Sequence, residues 1–318
     1  MRKNIFFITL IIVSIAAPLF ISNNFILRFA TDILIFAILA SAWNIIGGFT
    51  GYASFGNVVF FGIGAYSTSV LMSVSGLGFV VSFLLSGILA AFFAFIIGLP
   101  VLRLKGHYFA IATLGVAEAV KALVQNLDIT EGNSGIYLPP PDLSVDGIYN
   151  FFFYISLVVL ILLLLTTRLI LKKKLGYNMI AIREDEDSAN SMGVNTTMIK
   201  SISFSLSGFF TGLAGSIYAY QQGFIKPEPV FNVLITIKMI VMAVFGGLGS
   251  LFGPLIGSIT IEVISELLSS YFLMAHTLFL GIIIVLTILF APKGLIDVYG
   301  NKRSGLSYFL NNIKEHKV

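Results

Sequence analysis

AIREDEDSANSMG, residues 181–193, is the densest run of charge in a chain that is otherwise almost entirely apolar. It follows the basic residues Lys172, Lys173 and Lys174 and lies between two long apolar stretches. Basic residues collect on the cytoplasmic side of membrane proteins. The pattern therefore predicts an ordered cytoplasmic loop, 172–200, between two membrane-spanning helices. A short acidic, helix-compatible segment at that position indicates a contact with another protein.

The composition of the chain is that of a membrane protein. Hydrophobic residues make up 57%, charged residues only 11%, and the mean hydropathy is +0.98, whereas a soluble domain carries about 25% charged residues. The 318 residues accommodate roughly ten helices of ~20 residues. We predict an all-α polytopic membrane protein that forms one membrane domain over 1–318. The absence of cysteine excludes disulfides and thiolate sites.

Apolar runs predict about ten membrane-spanning helices, or eight to nine if 230–275 contains a re-entrant segment. A cleaved signal peptide is the alternative for the first run, but Pro18 after Ala16 and Ala17 is a poor cleavage context, which favours a retained helix. The predicted spans are 5–21, 30–47, 54–74, 79–101, 107–126, 149–171, 201–221, 232–248, 254–273 and 276–291.

The charge distribution predicts that both termini are cytoplasmic. With that orientation, 15 of the 19 basic residues fall on the inside, as the positive-inside rule requires. The net charge of +4 then reflects topology, and no nucleic-acid partner is expected. The loop 127–147 has four acidic residues and no basic ones, so it is predicted to be external. The segment 293–318 is predicted to be a cytoplasmic tail.

Two glycine-rich segments interrupt the apolar runs, GGFTGYASFG at 47–56 and GGLGSLFGP at 246–254. Transporters built from internal repeats place broken helices at corresponding positions, where the freed backbone lines the substrate path. Tight turns between hairpin helices are the alternative. The matching pair indicates a possible internal repeat, and the candidate path glycines are Gly47, Gly48, Gly51, Gly56, Gly246 and Gly247.

A row of small residues follows one face of the seventh predicted span. Such faces let helix backbones approach closely in lipid. The row therefore predicts a packed helix–helix contact, within this chain or with a second subunit. Its members are Ser201, Ser205, Gly208, Gly212, Gly215 and Ala219.

Charged residues inside the predicted spans are candidates for a polar path, because charge at membrane depth is costly. Glu118 lies three residues from Lys121 and could pair with it. Lys238 is a possible partner for Glu262. We keep Glu118 and Lys238 as path candidates, with structural pairing as the alternative.

The sequence contains no GxxxxGK[ST] phosphate loop, no Gly-x-Ser-x-Gly elbow and no His/Asp/Glu cluster with metal-ligand spacing, which are the usual signatures of ATP, hydrolase and metal sites. We therefore expect no catalytic residue, no metal and no cofactor. If ATP drives this protein, the ATPase is another chain.

The acidic loop is compatible with a single helix over 178–193. Asp185, Glu186 and Asp187 would lie near its start, where they complement the helix dipole. Ala189 and Met192 would supply contact surface, and Gly193 would end the helix. A solvated charged loop is the alternative.

The segment Asp187-Ser188-Ala189-x-x-x-Gly193 resembles the Glu-Ala-Ala-x-x-x-Gly loop of ABC-importer permeases, with Asp and Ser for the first Glu and Ala. Arg183-Glu184-Asp185-Glu186 is similar to the form found in branched-chain amino acid permeases of the LivM type. The resemblance implies that this segment is the coupling element that docks on an ATPase. Its members would be Arg183, Glu184, Asp185, Glu186, Asp187, Ala189 and Gly193.

The resemblance to this family continues along the chain. Five further motifs resemble its signatures in order: NIIGGFTG at 44–51, LRLKGHYFAIATL at 102–114, TEGNSG at 130–135, GGLGSLFGP at 246–254 and FAPKGL at 290–295. The family implies a permease of the plasma (inner) membrane, in contact with lipid, that carries an amino acid. Its implied partners are a second, LivH-like permease, two cytosolic ABC ATPases and an external solute-binding protein.

Two alternatives remain open on the sequence. Related permeases carry urea or short amides instead of branched-chain amino acids. An ion-coupled secondary transporter would work without an ATPase and would need titrating carboxylates near the midplane, for which Glu118 and Glu262 are the candidates.

Overall fold

The structure is a computed structural model that describes residues 23–271, together with Pro18 and Gly281. The described part contains eleven α-helices and two short strands. The helices are α1 (Asn24–Gly47), α2 (Asn57–Ser73), α3 (Phe79–Val101), α4 (His107–Asn126), α5 (Val145–Leu171), α6 (Lys174–Glu184), α7 (Glu186–Ser191), α8 (Thr196–Gln222), α9 (Pro227–Val230), α10 (Val233–Gly247) and α11 (Gly253–Tyr271), and the strands are β1 (Ile136–Tyr137) and β2 (Phe224–Ile225).

The all-α polytopic membrane fold is confirmed. Six stretches within the described residues are helical, long and apolar enough to cross a bilayer: α1, α3, α4, α5, α8 and the α9–α10 unit. The helix α2 is apolar but has only 17 residues. The predicted spans two to nine each correspond to a helix, although several begin three to six residues earlier or later. The predicted spans 5–21 and 276–291 lie outside the described residues, so the count of ten stays a prediction.

Helix α8 lies at the centre of the membrane domain and packs through its small residues. A Cβ added at Gly208 would lie 2.6 Å from the Cβ of Ala94 in α3. A Cβ at Gly215 would overlap the backbone carbonyl of Phe61 in α2. The predicted row of small residues is therefore a contact within the chain, between α8 and the two helices α2 and α3. Close backbone approach stabilises such contacts in lipid, where burial of apolar surface gives no driving force.

Polar side chains add hydrogen bonds across the same contact. Asn57 Nδ2 donates to Ser207 Oγ at 2.9 Å, and Thr68 Oγ1 donates to Ser216 Oγ at 2.6 Å. All four residues are fully buried. Hydrogen bonds of this kind fix one rotation of a membrane helix against its neighbour.

The two ends of α8 contact different parts of the chain. Its first turn lies beside α7, and the chain after its last turn forms β2, which pairs antiparallel with β1. Strand β1 belongs to the predicted external loop 127–147. A helix of 27 residues is about 40 Å long. The acidic element α6–α7 and the loop 127–147 therefore lie at opposite ends of the membrane domain.

Helices α10 and α11 form a hairpin at the second glycine-rich segment. A Cβ at Gly246 or Gly257 would overlap backbone atoms of the opposite helix, so glycine allows the close approach. Two continuous helices, α10 and α11, make up the described chain between 233 and 271 and are joined by a turn at 248–252. A re-entrant segment within 230–275 stays a prediction.

Candidate functional site

The acidic segment forms two helices rather than the single helix predicted over 178–193. Helix α6 ends at Glu184, and Asp185 adopts an extended conformation with φ −159° and ψ 112°. The Asp185 carboxylate then accepts a hydrogen bond from the Ser188 backbone N–H at 2.6 Å. This bond caps the start of α7 and lowers the pKa of Asp185 below its usual value. The prediction of one helix was wrong because a good N-cap residue competes with helix continuation at this position.

Gly193 ends α7, as the sequence predicted. Its φ is +84°, in the left-handed region that glycine tolerates best. The N–H of Val194 bonds to the carbonyl of Ala189 at 3.1 Å, and the N–H of Gly193 bonds to the carbonyl of Asn190 at 2.9 Å. This pair of bonds is the Schellman arrangement that terminates helices.

The element α6–α7 has an inner and an outer face. Ala189 is buried against the membrane domain, so it does not supply the outward contact surface that the sequence suggested. Glu184, Asp185 and Asp187 are exposed, and Met192 is 86% exposed. The outer face of α7 is therefore acidic, and the large hydrophobic side chains that α6–α7 exposes are Tyr177, which is 66% exposed, and Met192.

Arg183 on the inner side of α6 contacts both glycine-rich segments. Its Nη1 lies 3.4 Å from the Gly48 carbonyl oxygen. A Cβ at Gly249 would lie 2.6 Å from the same nitrogen, and a Cβ at Gly51 would lie 3.1 Å from the Arg183 Cγ. The arginine therefore occupies space that only glycine at these positions leaves open. Its guanidinium also binds the neighbouring Glu184 carboxylate at 2.7 Å.

Asn44, three residues before the first glycine-rich segment, binds the second segment directly. Asn44 Nδ2 donates to the Ser250 carbonyl at 2.9 Å, and the Gly249 N–H donates to Asn44 Oδ1 at 2.9 Å. Asn44 is itself 2% exposed. The structure thus brings the two segments, some 200 residues apart in sequence, to one place beneath α6.

A buried polar cluster joins α7 to the membrane domain. Lys200 Nζ donates to Glu186 Oε1 at 2.6 Å, and Tyr52 Oη donates to Glu186 Oε2. The burial of Glu186 acts to raise its pKa, but the hydrogen bonds from Lys200 and Tyr52 outweigh that effect, so the pKa is lower than usual. Glu186 is therefore ionised at neutral pH.

Neither Lys200 nor Tyr52 was predicted from the sequence as a site residue. Lys200 is the last residue of the predicted cytoplasmic loop 172–200, yet it is 1% exposed. The available signal is its position immediately before the predicted span 201–221, soon after four consecutive acidic residues. Nothing in the sequence indicates which carboxylate it meets, or that a tyrosine 148 positions earlier joins the pair.

The predicted path glycines lie in two regions. Gly47, Gly48 and Gly51 lie beneath α6, and Gly246 and Gly247 are the last two residues of α10, next to the turn that contacts Gly48. Gly56 packs against Thr113 of α4, whose carbonyl oxygen would lie 2.6 Å from an added Cβ. The remaining two candidates, Glu118 and Lys238, lie on helices α4 and α10.

The two charged path candidates have partners. Glu118 forms an ion pair of 3.5 Å with Lys121, and its side chain is 55% exposed on α4. Lys238 pairs with Glu262 of α11 at 2.5 Å and lies 4.0 Å from the centre of the Phe36 ring. Over residues 23–271, no group of three or more His, Asp or Glu side chains could hold a metal ion.

Comparison with known proteins identifies the family. The family described as "Branched-chain amino acid transport system / permease component" matches residues 25–291. The high-affinity branched-chain amino acid transport permease LivM of Salmonella typhimurium is 32% identical over 93% of this chain and 76% of its own length. LivM of Escherichia coli gives the same identity and coverage. No solved structure matches the chain.

A shorter similarity extends to the other permease type. The probable branched-chain amino acid permease LivH of Methanocaldococcus jannaschii is 30% identical over 40% of this chain and 42% of its own length. The family match and the LivM similarity both cover the helices that hold the acidic element and the two glycine-rich segments. This chain belongs to the family of permease components of branched-chain amino acid transport systems.

Proposed function

We propose that this chain is the membrane-spanning permease subunit of an ATP-binding-cassette importer that moves branched-chain amino acids inward. Family membership makes it a multi-pass protein of the plasma (inner) membrane. ATP hydrolysis takes place in separate chains, and this subunit has no catalytic role. The LivM and LivH relatives are branched-chain amino acid transport permeases, which supports the proposed cargo.

The proposed assembly contains a second, LivH-like permease, two cytosolic ATPases and an external solute-binding protein. The binding protein delivers the amino acid to the side of the loop 127–147. The ATPases bind at the opposite end, on the outer face of α6–α7. The proposed topology has 172–200 as the coupling loop and 127–147 outside. It assigns both termini and the tail 293–318, which are outside the described residues, to the ATPase side.

One observation carries the coupling role of α6–α7. Arg183 of α6 touches the two glycine-rich segments at once, at Gly48 and at Gly249. A displacement of α6 therefore acts simultaneously on the α1–α2 connection and on the α10–α11 turn. Closure of the ATPase dimer would move α6–α7, and both halves of the membrane domain would respond together.

The outer face of α6–α7 is suited to docking. Glu184, Asp185 and Asp187 present negative charge, and Met192 offers an exposed apolar side chain. Complementary charge steers association and fixes orientation. The ATPase surface that receives this element is expected to be basic around an apolar recess.

We assign the solute path to the glycine-rich segments and to the neighbouring charged residues. Glu118 is exposed on α4, and lipid is an unfavourable environment for a carboxylate. The face of α4 that carries Glu118 is therefore assigned to the path or to the second permease. Gly47, Gly48, Gly51, Gly56, Gly246 and Gly247 would let the backbone move at the path, and Lys238 would contribute charge beside it.

The assignment is tested by uptake in proteoliposomes. The two permeases are reconstituted with and without the ATPases, and uptake of labelled leucine, isoleucine, valine and urea is measured with ATP and binding protein supplied. We expect leucine-type uptake only with ATP-competent ATPases. An ATPase variant that binds but does not hydrolyse ATP is the control.

Other outcomes of this assay change specific parts of the proposal. ATP-dependent uptake of urea or short amides, with none of leucine, would keep the importer and replace the cargo. Uptake driven by a proton or sodium gradient without ATPase would overturn the importer assignment.

A further inference from the structure

Lys200 uses all three N–H donors of its ammonium group inside the protein. They reach Glu186 Oε1 at 2.6 Å, the Leu102 carbonyl at 2.7 Å and Tyr52 Oη at 2.9 Å. An ammonium group has three donors, so none remains for water. The side chains of Lys200 and Glu186 are 2% and 15% exposed.

Four separate elements meet at this ammonium group. Glu186 is the first residue of α7, and Lys200 lies in the second turn of α8. Leu102 caps the end of α3, and Tyr52 belongs to the connection between α1 and α2. The hydrogen bonds of this cluster therefore connect the acidic element to three other parts of the membrane domain: α8, the end of α3 and the α1–α2 connection.

Tyr52 contacts both charged groups of the ion pair. Its hydroxyl donates to Glu186 Oε2 and accepts from Lys200. Its ring lies beneath the ammonium, with Nζ 4.2 Å from the ring centre, a favourable cation–π geometry. The ring also packs edge-on against Phe109 of α4 at 5.2 Å. Both oxygens of the Glu186 carboxylate are thus engaged.

Stability alone does not account for this cluster. A buried ion pair often contributes no more than well-packed apolar residues of the same volume, because desolvation offsets the attraction. What a buried pair does provide is a fixed geometry. Asp187 of α7 forms a contrasting, exposed ion pair with Lys105 at 2.5 Å. The side chains of Lys105 and Asp187 are 56% and 84% exposed, and water competes readily for exposed pairs.

We propose that Glu186, Lys200 and Tyr52 form the rigid link that transmits movement of the docked α7 into α8, α3 and the α1–α2 connection. This inference rests on the proposed coupling role of α6–α7. The three residues are positioning residues: they contact neither solute nor ATP. They convert a displacement of the surface element into a displacement of the membrane helices.

The test uses the assembled importer in proteoliposomes and the double variant Glu186→Gln with Lys200→Met. The double change removes both charges together and keeps the side-chain volumes, so no lone buried charge remains. Three quantities are measured: co-purification of the ATPases, ATP hydrolysis stimulated by the binding protein, and solute uptake. Lys105→Met is the matched control, because it removes a lysine from an exposed ion pair with the same helix.

We expect the double variant to retain its ATPases and to hydrolyse ATP within about twofold of the wild type, while solute uptake per ATP falls by roughly tenfold, a typical size for coupling between linked sites. Lys105→Met should keep the wild-type ratio. An unchanged ratio of uptake to hydrolysis in the double variant would overturn the inference. A parallel loss of both activities at an unchanged amount of assembled transporter would also overturn it, because uptake per ATP would then be unchanged.

A second variant covers failure of the double variant to fold. Tyr52→Phe removes one hydroxyl and keeps the ring beneath Lys200. A lower uptake per ATP with unchanged assembly would support the link, and a wild-type ratio would overturn it. Charge reversal on the outer face of α7 tests the docking role separately, through binding of the ATPases. A failure of the proposed function can therefore be told apart from a failure of this inference.

Discussion

The backbone N–H of Gly249 donates a 2.9 Å hydrogen bond to the side chain of Asn44, which lies 205 positions earlier in the chain. Asn44 returns a second bond to the neighbouring carbonyl of Ser250. One amide side chain therefore holds the two glycine-rich segments together, immediately beneath Arg183. The connection explains how two interruptions in distant helices form one structural unit below the acidic element.

Replacing Asn44 by Ala should destabilise the protein by about 1–3 kcal/mol, because an N–H and a carbonyl lose their partners in a poorly solvated position. The measurement is thermal or denaturant unfolding of the detergent-purified protein. Asn126→Ala is the control, since its single bond lies at an exposed helix end. Equal stability of the two variants would contradict the role given to Asn44.

Gly48→Ala should also be destabilising, by about 1–3 kcal/mol as for other overpacked sites. An added Cβ would overlap the Asn44 side chain and lie 2.7 Å from the Gly249 nitrogen. Gly115→Ala is the matched control, because a Cβ there meets nothing within 4 Å. In that helix interior, alanine should be neutral or stabilising by up to about 1 kcal/mol. The free energies of unfolding of both variants are measured under the same conditions. An unchanged free energy of unfolding for Gly48→Ala would contradict the close contact between Gly48, Asn44 and Gly249.

Charge reversal on the outer face should abolish ATPase binding. Glu184→Lys with Asp187→Lys changes two exposed carboxylates and leaves the Asp185 cap of α7 intact. The control carries the same charge change on the predicted external loop, as Glu131→Lys with Asp142→Lys. Co-purification of the ATPases with each permease is the measurement. Undiminished binding by the first variant would remove the acidic face from the docking surface.

The stabilising effect of Glu186 should depend on pH. Because its folded pKa is lower than usual, ionised Glu186 stabilises the folded state fully above the unfolded pKa of about 4.3, and this contribution is lost as the pH falls through the folded value. The melting temperatures of the wild type and Glu186→Gln are compared from neutral pH downward. The wild-type advantage should be constant near neutrality and shrink below about pH 4. A pH-independent difference would contradict the assignment.

The pair Lys238–Glu262 should behave as a coupled unit. Removing one partner by Lys238→Met or Glu262→Gln leaves a lone charge among packed helices and should cost about 3–5 kcal/mol. The loss of unfolding free energy in the double variant should be smaller than the sum of the losses in the two single variants. A double-mutant cycle of unfolding free energies measures the coupling. Additive single effects would show that the 2.5 Å contact contributes little.

Local sequence signals predicted the helical elements well. Apolar runs located the eight predicted spans that fall within the described residues, and Gly193 ended its helix as expected, since both depend on neighbouring residues. The break at Asp185 was missed, because its side chain caps a new helix only when the chain turns there. The small-residue row on α8 was recognised, but whether its partner lay in this chain could not be inferred from one helix.

The sequence by itself determined the membrane fold, the order of the helices and the acidic element between two of them, because hydrophobic periodicity and charge are properties of contiguous segments. Only the tertiary structure decided that Arg183 spans Gly48 and Gly249, and that Lys200 lies buried against Glu186 and Tyr52. These contacts depend on how helices far apart in sequence pack and rotate. A lysine next to a membrane span has the same local sequence whether it faces water or a buried carboxylate, and only packing distinguishes the two.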